Sequence, residues 1–276
     1  MTAALCAAEL LILDGADAGT FAHAQFCNDV KTLRVGAWQW NAWLDPQGRV
    51  RCIFALMHVQ ANRLVAWLPL GGAAPIRVAL ARYVMRSKLE ITMAIWTLHA
   101  LEGPSLATAI AAAQVVAHDG GYLMSQPPGS GRLAWIAPAA TGPFDSDALN
   151  QWRLADIDAG LPFLAPELDG EFVAQALDLE RLCAIRFDKG CYPGQEIAAR
   201  LHFRGGNKRH LRHVRVHGET PLPGATIVDA ERSAVGRILY GAASTGKASN
   251  ALAVLTNVTE DVLLFSAQGE RINLHS

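Results

Sequence analysis

The chain has 276 residues, of which 51% are hydrophobic and 18% charged, so it has enough apolar side chains for a large core. This composition excludes a disordered or low-complexity protein. With 24 Lys and Arg against 25 Asp and Glu, the net charge is −1, which excludes binding driven by the charge of the whole molecule. Any attraction to a polyanion must therefore come from a local patch.

The apolar stretches of the chain are too short to cross a membrane. The most apolar, 5–13 and 106–117, fall below the roughly 20 residues that a spanning helix needs. No Lys or Arg precedes an apolar run at the N-terminus, as a secretory signal requires. We therefore expect a cytoplasmic protein without a membrane partner.

The cysteines are five in number and widely spaced, without a CxxC pair. This pattern predicts neither a disulfide framework nor a bound metal. Cysteine is most often a small buried hydrophobe. Four of the five are interpreted in that way: Cys6, Cys27, Cys52 and Cys183.

The first 160 residues mix strand patterns with helix patterns. Alternating hydrophobicity and turn residues predict strands over 10–13, 37–44, 50–54, 63–70 and 88–93, around Tyr122, and over 133–136. Apolar residues at helical spacing predict helices over 20–30, 76–86, 105–117 and 145–158, with Pro75 opening the second and Gly160 following the last. Several strands form hairpins, so an α+β fold is expected rather than a strict βαβ alternation.

After about residue 205 the pattern changes to short strands separated by turns. The predicted strands are 213–217, 226–228, 235–240, 251–258, 262–265 and 271–274. Such a run without a convincing helix predicts a small all-β barrel or sandwich. We expect two domains, an α+β body over 1–205 and a C-terminal β-barrel over 206–276.

The segment 188–196 is the most informative for chemistry. Two glycines permit tight turns on either side of Cys191. Pro193 suits the start of a helix predicted over 195–201, so Cys191 is expected just before a helix N-terminus, with Lys189 two residues away. A helix N-terminus and an ammonium group both favour a thiolate, which makes Cys191 and Lys189 candidate catalytic residues. The alternative is a structural turn with a half-buried cysteine.

The octapeptide 189–196, Lys-Gly-Cys-Tyr-Pro-Gly-Gln-Glu, resembles the signature of the YgfZ family. These folate-binding proteins are related in fold to the T-protein, the aminomethyltransferase of the glycine cleavage system. The resemblance covers most of 10–215 and is dense in 152–209. Other matching segments are 25–30, 45–50, 156–162, 171–179, 185–187, 199–200 and 204–209.

The resemblance implies a tetrahydrofolate-binding accessory protein with iron–sulfur enzymes as its clients. It would support assembly or repair of their clusters, including those of enzymes that thiolate tRNA, so its part in tRNA modification is indirect. The implied fold is a folate-binding body of two intertwined subdomains with a C-terminal β-barrel. The catalytic aspartate of the T-protein has no counterpart that aligns, so a folate-dependent aminomethyl transferase is the alternative. Whether the chain is itself an enzyme stays open.

Candidate folate contacts follow from the resemblance and from ligand chemistry. A pterin ring is flat and partly apolar and its glutamate tail is anionic, so aromatic and polar side chains suit it. Trp152 corresponds to a tryptophan of the family's folate site, and its alternative role is core packing on a helix. The other candidate cofactor-binding residues are Tyr192, Gln195, Glu196, Arg200 and Arg204.

The tract 197–217 carries six Lys or Arg and no acidic residue. It could seat a polyglutamate tail, an acidic protein partner or RNA, or form a solvated strand. No aromatic-rich basic strip indicates direct reading of bases, so tRNA binding has no support from the pattern. Three histidines at 210, 213 and 217 have metal-like spacing, but a strand there would put 210 and 213 on opposite faces.

Overall fold

The structure, a computed structural model, describes residues 2–101, 113–126, 131–138, 143–256 and 262–275. It consists of one eight-stranded antiparallel sheet, one closed six-stranded barrel and few helices. The expected α+β fold with a small C-terminal all-β barrel is confirmed. The exact domain boundary and the division of the body into two subdomains stay predictions.

The sheet has the strand order β2-β3-β4-β1-β5-β8-β7-β6. It curls until its two edges meet, since the amide of Val115 donates to the Gly36 carbonyl at 2.9 Å and that of Trp38 donates to the Ala113 carbonyl at 2.9 Å. The strands are β1 (Thr2–Asp14), β2 (Ala37–Leu44), β3 (Val50–Gln60), β4 (Arg63–Leu68), β5 (Glu90–Leu101), β6 (Val115–His118), β7 (Gly121–Ser125) and β8 (Leu133–Ala137).

The middle of the sheet is covered on both faces, which explains its nearly continuous apolar strands. Along β3, Ile53, Ala55 and Met57 belong to the larger core, which extends to the barrel. The alternate residues Phe54 and Leu56 belong to a second core on the opposite face. The site described below lies beside this doubly covered sheet.

Within the described ranges, four α-helices pack around the two β-structures. They are α1 (Ala18–Gln25), α2 (Ala73–Ala81), α3 (Ser146–Asp158) and α4 (Gln195–Arg204). A carboxylate oxygen of Asp145 accepts the amide of Ala148 at 2.9 Å, a side-chain cap that fixes the start of α3 where the sequence predicts it. No helix among the described residues is long and apolar enough to span a membrane.

Three predicted helices differ from the structure. The first ends at Gln25 instead of 30, because Phe26 forms a β-bridge with Trp43 and the chain continues extended. The second begins at Ala73, so Pro75 is its third residue, and it ends at Ala81 instead of 86. The prediction over 105–117 is wrong at 115–117, which form a strand, and 102–112 lie outside the described residues.

The barrel has the strand order β10-β11-β12-β9-β14-β13. Its strands are β9 (Arg209–Val216), β10 (Thr226–Val228), β11 (Ala234–Ala243), β12 (Ser249–Thr256), β13 (Leu264–Ser266) and β14 (Arg271–Leu274). All six match strands predicted from the sequence, with shifts at their ends. The hydroxyl of Tyr240 on β11 donates to the Leu161 carbonyl at 2.6 Å, which joins the barrel to the body.

Candidate functional site

The loop 188–196 is fixed at its start by an ammonium group. Nζ of Lys189 donates to the carbonyl oxygens of His23 and Phe26 at 2.5 Å each and of Asn28 at 3.2 Å. These carbonyls lie at and beyond the end of α1, where helix carbonyls lack intrahelical partners. Burial lowers the pKa of the Lys189 ammonium to about 8. Lys189 therefore ties the loop to the end of α1.

The rest of the loop is fixed by packing. Tyr192 is buried, and its hydroxyl donates to the Arg186 carbonyl at 3.1 Å. Burial raises the pKa of this phenol. Gly194 has a φ of +75° and lies directly against Asp45 and Gly48, in the turn between β2 and β3. The buried ring of Tyr192 and the close approach of Gly194 therefore hold the loop in place.

Between these anchors the side chain of Cys191 is exposed. Helix α4 begins at Gln195, as predicted, and runs three residues beyond the predicted end at 201. Cys191 precedes the first helical residue by four positions, and the helix dipole acts mainly within the first turn. The structure thus presents an accessible thiol, while its ionisation by Lys189 and the helix stays a prediction.

The other candidate cofactor-binding residues of this segment lie on α4. Gln195 is half-buried in the first turn, whereas Glu196, Arg200 and Arg204 are exposed. Arg200 and Arg204 are four residues apart and therefore share a face of the helix. Both guanidinium groups are accessible to an anionic ligand.

Trp152 lies on α3, and its ring is already covered. The guanidinium carbon of Arg132 lies 3.9 Å from the ring centroid, and the indole is only 7% exposed. The cavity beside it, lined by Asp156 and Tyr240 among others, has a volume of about 20 Å³. That volume holds about one water molecule. A pterin ring fits at Trp152 only if α3 and the barrel move apart.

Two larger cavities lie beside the loop and share the residues Glu180, Ile185 and Arg186. The first has a volume of about 330 Å³, and its lining includes Asp29 and Gln39. The second has a volume of about 420 Å³, and its lining includes Phe187, His202 and Phe203. Small-molecule sites typically occupy about 300–1,000 Å³, so each cavity is large enough for a ring-sized ligand.

The prediction that Cys183 is buried is wrong. Cys183 is exposed and contributes to the lining of the 330 Å³ cavity. It adopts a φ of +54°, a backbone conformation that short-range sequence patterns do not reveal for a cysteine. Cys27 and Cys52 are buried as predicted, and Cys6 is half-buried.

The histidines of the basic tract form no metal site. Within the described ranges, no group of three His, Cys, Asp or Glu side chains is placed to hold a metal ion. His210 and His213 lie on strand β9, as predicted, where they face opposite sides. His213 instead stacks on His275, with ring centroids 4.3 Å apart.

Sequence reasoning missed the residues that line the 330 Å³ cavity. Asp29 lies in the matching segment 25–30 and Arg186 in the segment 185–187, so the resemblance held a signal for both. Glu180 lies just beyond the matching segment 171–179, so the resemblance did not point to it. The fold brings Asp29 and Glu180 together across 151 residues of sequence, a distance that local patterns do not bridge.

Among the relatives that sequence comparison finds are two named tRNA-modifying protein YgfZ. The chain is 29% identical over 211 residues to an uncharacterized protein of Haemophilus influenzae, covering 74% of this chain and 69% of that protein. It is 29% identical over 222 residues to the tRNA-modifying protein YgfZ of Sodalis glossinidius, covering 73% and 67%. Over 82 residues it is 44% identical to the tRNA-modifying protein YgfZ of Cronobacter sakazakii, covering 29% and 25%. No family model matches the chain.

Comparison of the structure finds the same fold in an enzyme. The glycine cleavage system aminomethyltransferase T from Bartonella henselae superposes with a TM-score of 0.69, over 99% of this chain and 86% of that protein. The sequence identity is 14%, so this similarity establishes the fold and nothing finer.

Proposed function

We propose that this chain, which has the T-protein fold, belongs to the YgfZ family, binds tetrahydrofolate and acts in tRNA modification as an accessory protein. Its clients are iron–sulfur enzymes, including those that thiolate tRNA. The observation that carries the accessory role is the exposed thiol of Cys191 on a loop fixed at both ends. A fixed, accessible thiol can reach a client protein, and a buried one cannot.

Volume decides between two positions for the pterin ring. The cavity at Trp152 holds about one water molecule, so binding there must first separate packed elements. The cavity that Asp29 and Glu180 line has about 330 Å³ without any movement. We therefore propose that the pterin binds in the 330 Å³ cavity, and the position at Trp152 is the alternative.

The chemistry of the 330 Å³ cavity suits a reduced pterin. One edge of the ring carries an amino group and a neighbouring ring N–H, a pair of donors that a carboxylate accepts well. Asp29 and Glu180 supply carboxylates at the cavity wall, and Gln39 supplies an amide. Arg186 lines both cavities, and its guanidinium, which pairs with Asp188 through two hydrogen bonds, has further N–H donors for the carboxylates of the glutamate tail.

Tetrahydrofolate titration by calorimetry tests the ligand and its position together. Glu180→Gln should weaken binding by about tenfold or more, because it removes a charged acceptor. Trp152→Phe should change affinity by less than about twofold, because Trp152 does not line the 330 Å³ cavity. Glu167→Gln, an exposed carboxylate outside both cavities, is the matched control. Loss of binding only in Trp152→Phe would move the pterin to Trp152, and an inert wild-type protein contradicts folate binding.

Complementation tests the accessory role. In cells depleted of their own homologue, Cys191→Ala should fail to restore tRNA thiolation, while the folded protein accumulates normally. Ser233→Ala, at an exposed position outside both cavities, is the control and should restore thiolation. Full activity of Cys191→Ala contradicts a role for its sulfur.

The alternative is a folate-dependent aminomethyl transferase, for which the shared fold is the support. Such a reaction needs a positioned general base near the reacting nitrogen of the folate. Asp29 and Glu180 are the carboxylates beside the proposed seat. Transfer of an aminomethyl group by purified protein would favour this activity, and folate binding without turnover favours the accessory role.

A further inference from the structure

Three aromatic side chains cluster beside the loop at the surface. The ring of Phe187 stacks on that of His202, with centroids 4.3 Å apart and planes inclined by 22°. Phe203 packs edge-on against His202 at 4.6 Å. Phe203 is nevertheless 75% exposed, which is unusual for a phenylalanine and leaves ring surface open to a ligand.

The cluster borders the 420 Å³ cavity, which is large enough for a nucleobase. Two carboxylates line the same cavity, and each is already paired. Asp188 accepts hydrogen bonds from Arg186 at 2.5 and 2.8 Å, and Glu180 lies 2.7 Å from Nδ1 of His202. These pairs reduce the repulsion that the carboxylates would exert on an anionic ligand.

Exposed cations continue from the cluster along the chain. Arg200 lies three residues before Phe203, on the same face of α4, and Arg204 follows it directly. Lys208 and Arg209 are also exposed. Because the chain spans at most about 3.6 Å per residue, the Cα atom of Lys208 lies within roughly 14 Å of that of Arg204. None of the four forms an ion pair with a residue that the structure describes.

The stability of α4 alone does not account for these charges. A cation in the last turn favours the helix dipole, which explains Arg204. Arg200 and Arg204, however, are like charges at a spacing of four, which destabilises a helix. Lys208 and Arg209 lie beyond the helix. A row of unpaired cations beside an exposed aromatic ring is the arrangement that binds single-stranded nucleic acid.

We propose that this surface, comprising Phe187, Arg200, His202, Phe203, Arg204, Lys208 and Arg209, binds single-stranded RNA. A base stacks on Phe203, and the neighbouring phosphates contact the arginines and Lys208. The bases of a duplex are stacked on one another, so the ring favours an unpaired strand. The sequence indicated no aromatic-rich basic strip, because Phe187 reaches the cluster only through folding.

Fluorescence anisotropy with a labelled uridine oligonucleotide of about 12 nucleotides tests the site. Phe203→Ala should weaken binding by about tenfold, because stacking supports each base. Arg200→Gln with Arg204→Gln should reduce the slope of log affinity against log salt by about 1.4, at about 0.7 for each phosphate that an arginine no longer neutralises. Arg82→Gln with Arg86→Gln, exposed arginines near α2, makes the same change in net charge and should leave the slope unchanged.

Three outcomes of these binding measurements would overturn the proposal. Equal losses in both double variants would show attraction to net charge only and overturn the proposal, as would no binding at about 50 mM salt. If pentaglutamyl tetrahydrofolate displaces the RNA and Phe203→Ala weakens both ligands, the surface belongs to folate and the proposal fails. The proposal does not rest on folate binding, which the calorimetric titration measures separately.

Discussion

The backbone of Gly194 lies directly against the carbonyl group of Asp45, with no room for a side chain between them. A Cβ atom on Gly194 would overlap that oxygen and lie 2.8 Å from Cα of Gly48. The residue also has a φ of +75°, which favours glycine. This close approach holds the loop that carries Cys191 on the turn between β2 and β3.

Gly194→Ala should therefore destabilise the protein more than backbone conformation alone explains. A left-handed residue other than glycine costs about 1–2 kcal/mol, and the overlap with Asp45 adds about 1–3 kcal/mol. Gly170→Ala is the matched control, since Gly170 has the same φ of +75° and nothing within 4 Å of an added Cβ. Urea unfolding measures both variants. Equal losses of free energy of unfolding would contradict the close approach as a source of stability.

Lys189 should matter for stability as well as for any chemistry at Cys191. Lys189→Met keeps the length of the side chain but leaves the carbonyls of His23 and Phe26 without their donor. Each buried acceptor without a partner costs about 1–3 kcal/mol. The free energy of unfolding should fall in that range or further, while Lys31→Met, at an exposed position, should change it little. Unchanged stability of Lys189→Met would mean that water replaces the ammonium.

The cysteines should divide by accessibility when the native protein reacts with an aromatic disulfide reagent. Cys183 and Cys191 are exposed and should react fast, whereas burial raises the pKa of the thiols of Cys6, Cys27 and Cys52 and shields them. Two thiols per chain should react in the native state and five after unfolding. Cys191→Ser and Cys183→Ser should each remove one fast thiol. An unchanged count in Cys191→Ser would contradict its exposure.

Local patterns in the sequence were enough for the parts of the fold that depend on neighbours along the chain. The hairpin of β2 and β3, helix α3 and all six barrel strands follow from alternation, turn residues and apolar residues at helical spacing. Prediction failed where the partner is distant. Phe26 continues the helical pattern of α1, yet its bridge to Trp43 draws the chain into extended structure.

The candidate site shows the same limit. The octapeptide 189–196 is recognisable from its order of residues, so its position needed no structure. The acceptors of Lys189 lie more than 160 residues earlier, and Phe187 meets Phe203 only in three dimensions. Trp152 matched the family by position, but the guanidinium of Arg132 that covers its ring comes from another element.

The Arg132 guanidinium also pairs with Asp156, a carboxylate buried on α3 beside the small cavity. A nitrogen of Arg132 lies 2.9 Å from Oδ1 of Asp156, and Asp156 is 4% exposed. Burial raises the pKa of Asp156 from 3.8 to about 6, although Arg132 and a hydrogen bond from Gln126 oppose the rise. Between these two values the folded protein binds a proton that the unfolded chain has released.

The stability of the protein should therefore depend on pH through Asp156. Protonation of Asp156 contributes about 3 kcal/mol to the free energy of unfolding. This contribution is fully present below about pH 4 and is lost as the pH rises through about 6. Because histidines also titrate in this range, the quantity to measure is the free energy of unfolding of the wild type minus that of Asp156→Asn, which should fall between about pH 4 and pH 7. Asp158→Asn, an exposed aspartate at the end of α3, should leave the wild-type profile unchanged. Parallel profiles for the wild type and Asp156→Asn would show that Arg132 compensates the burial of the carboxylate in full.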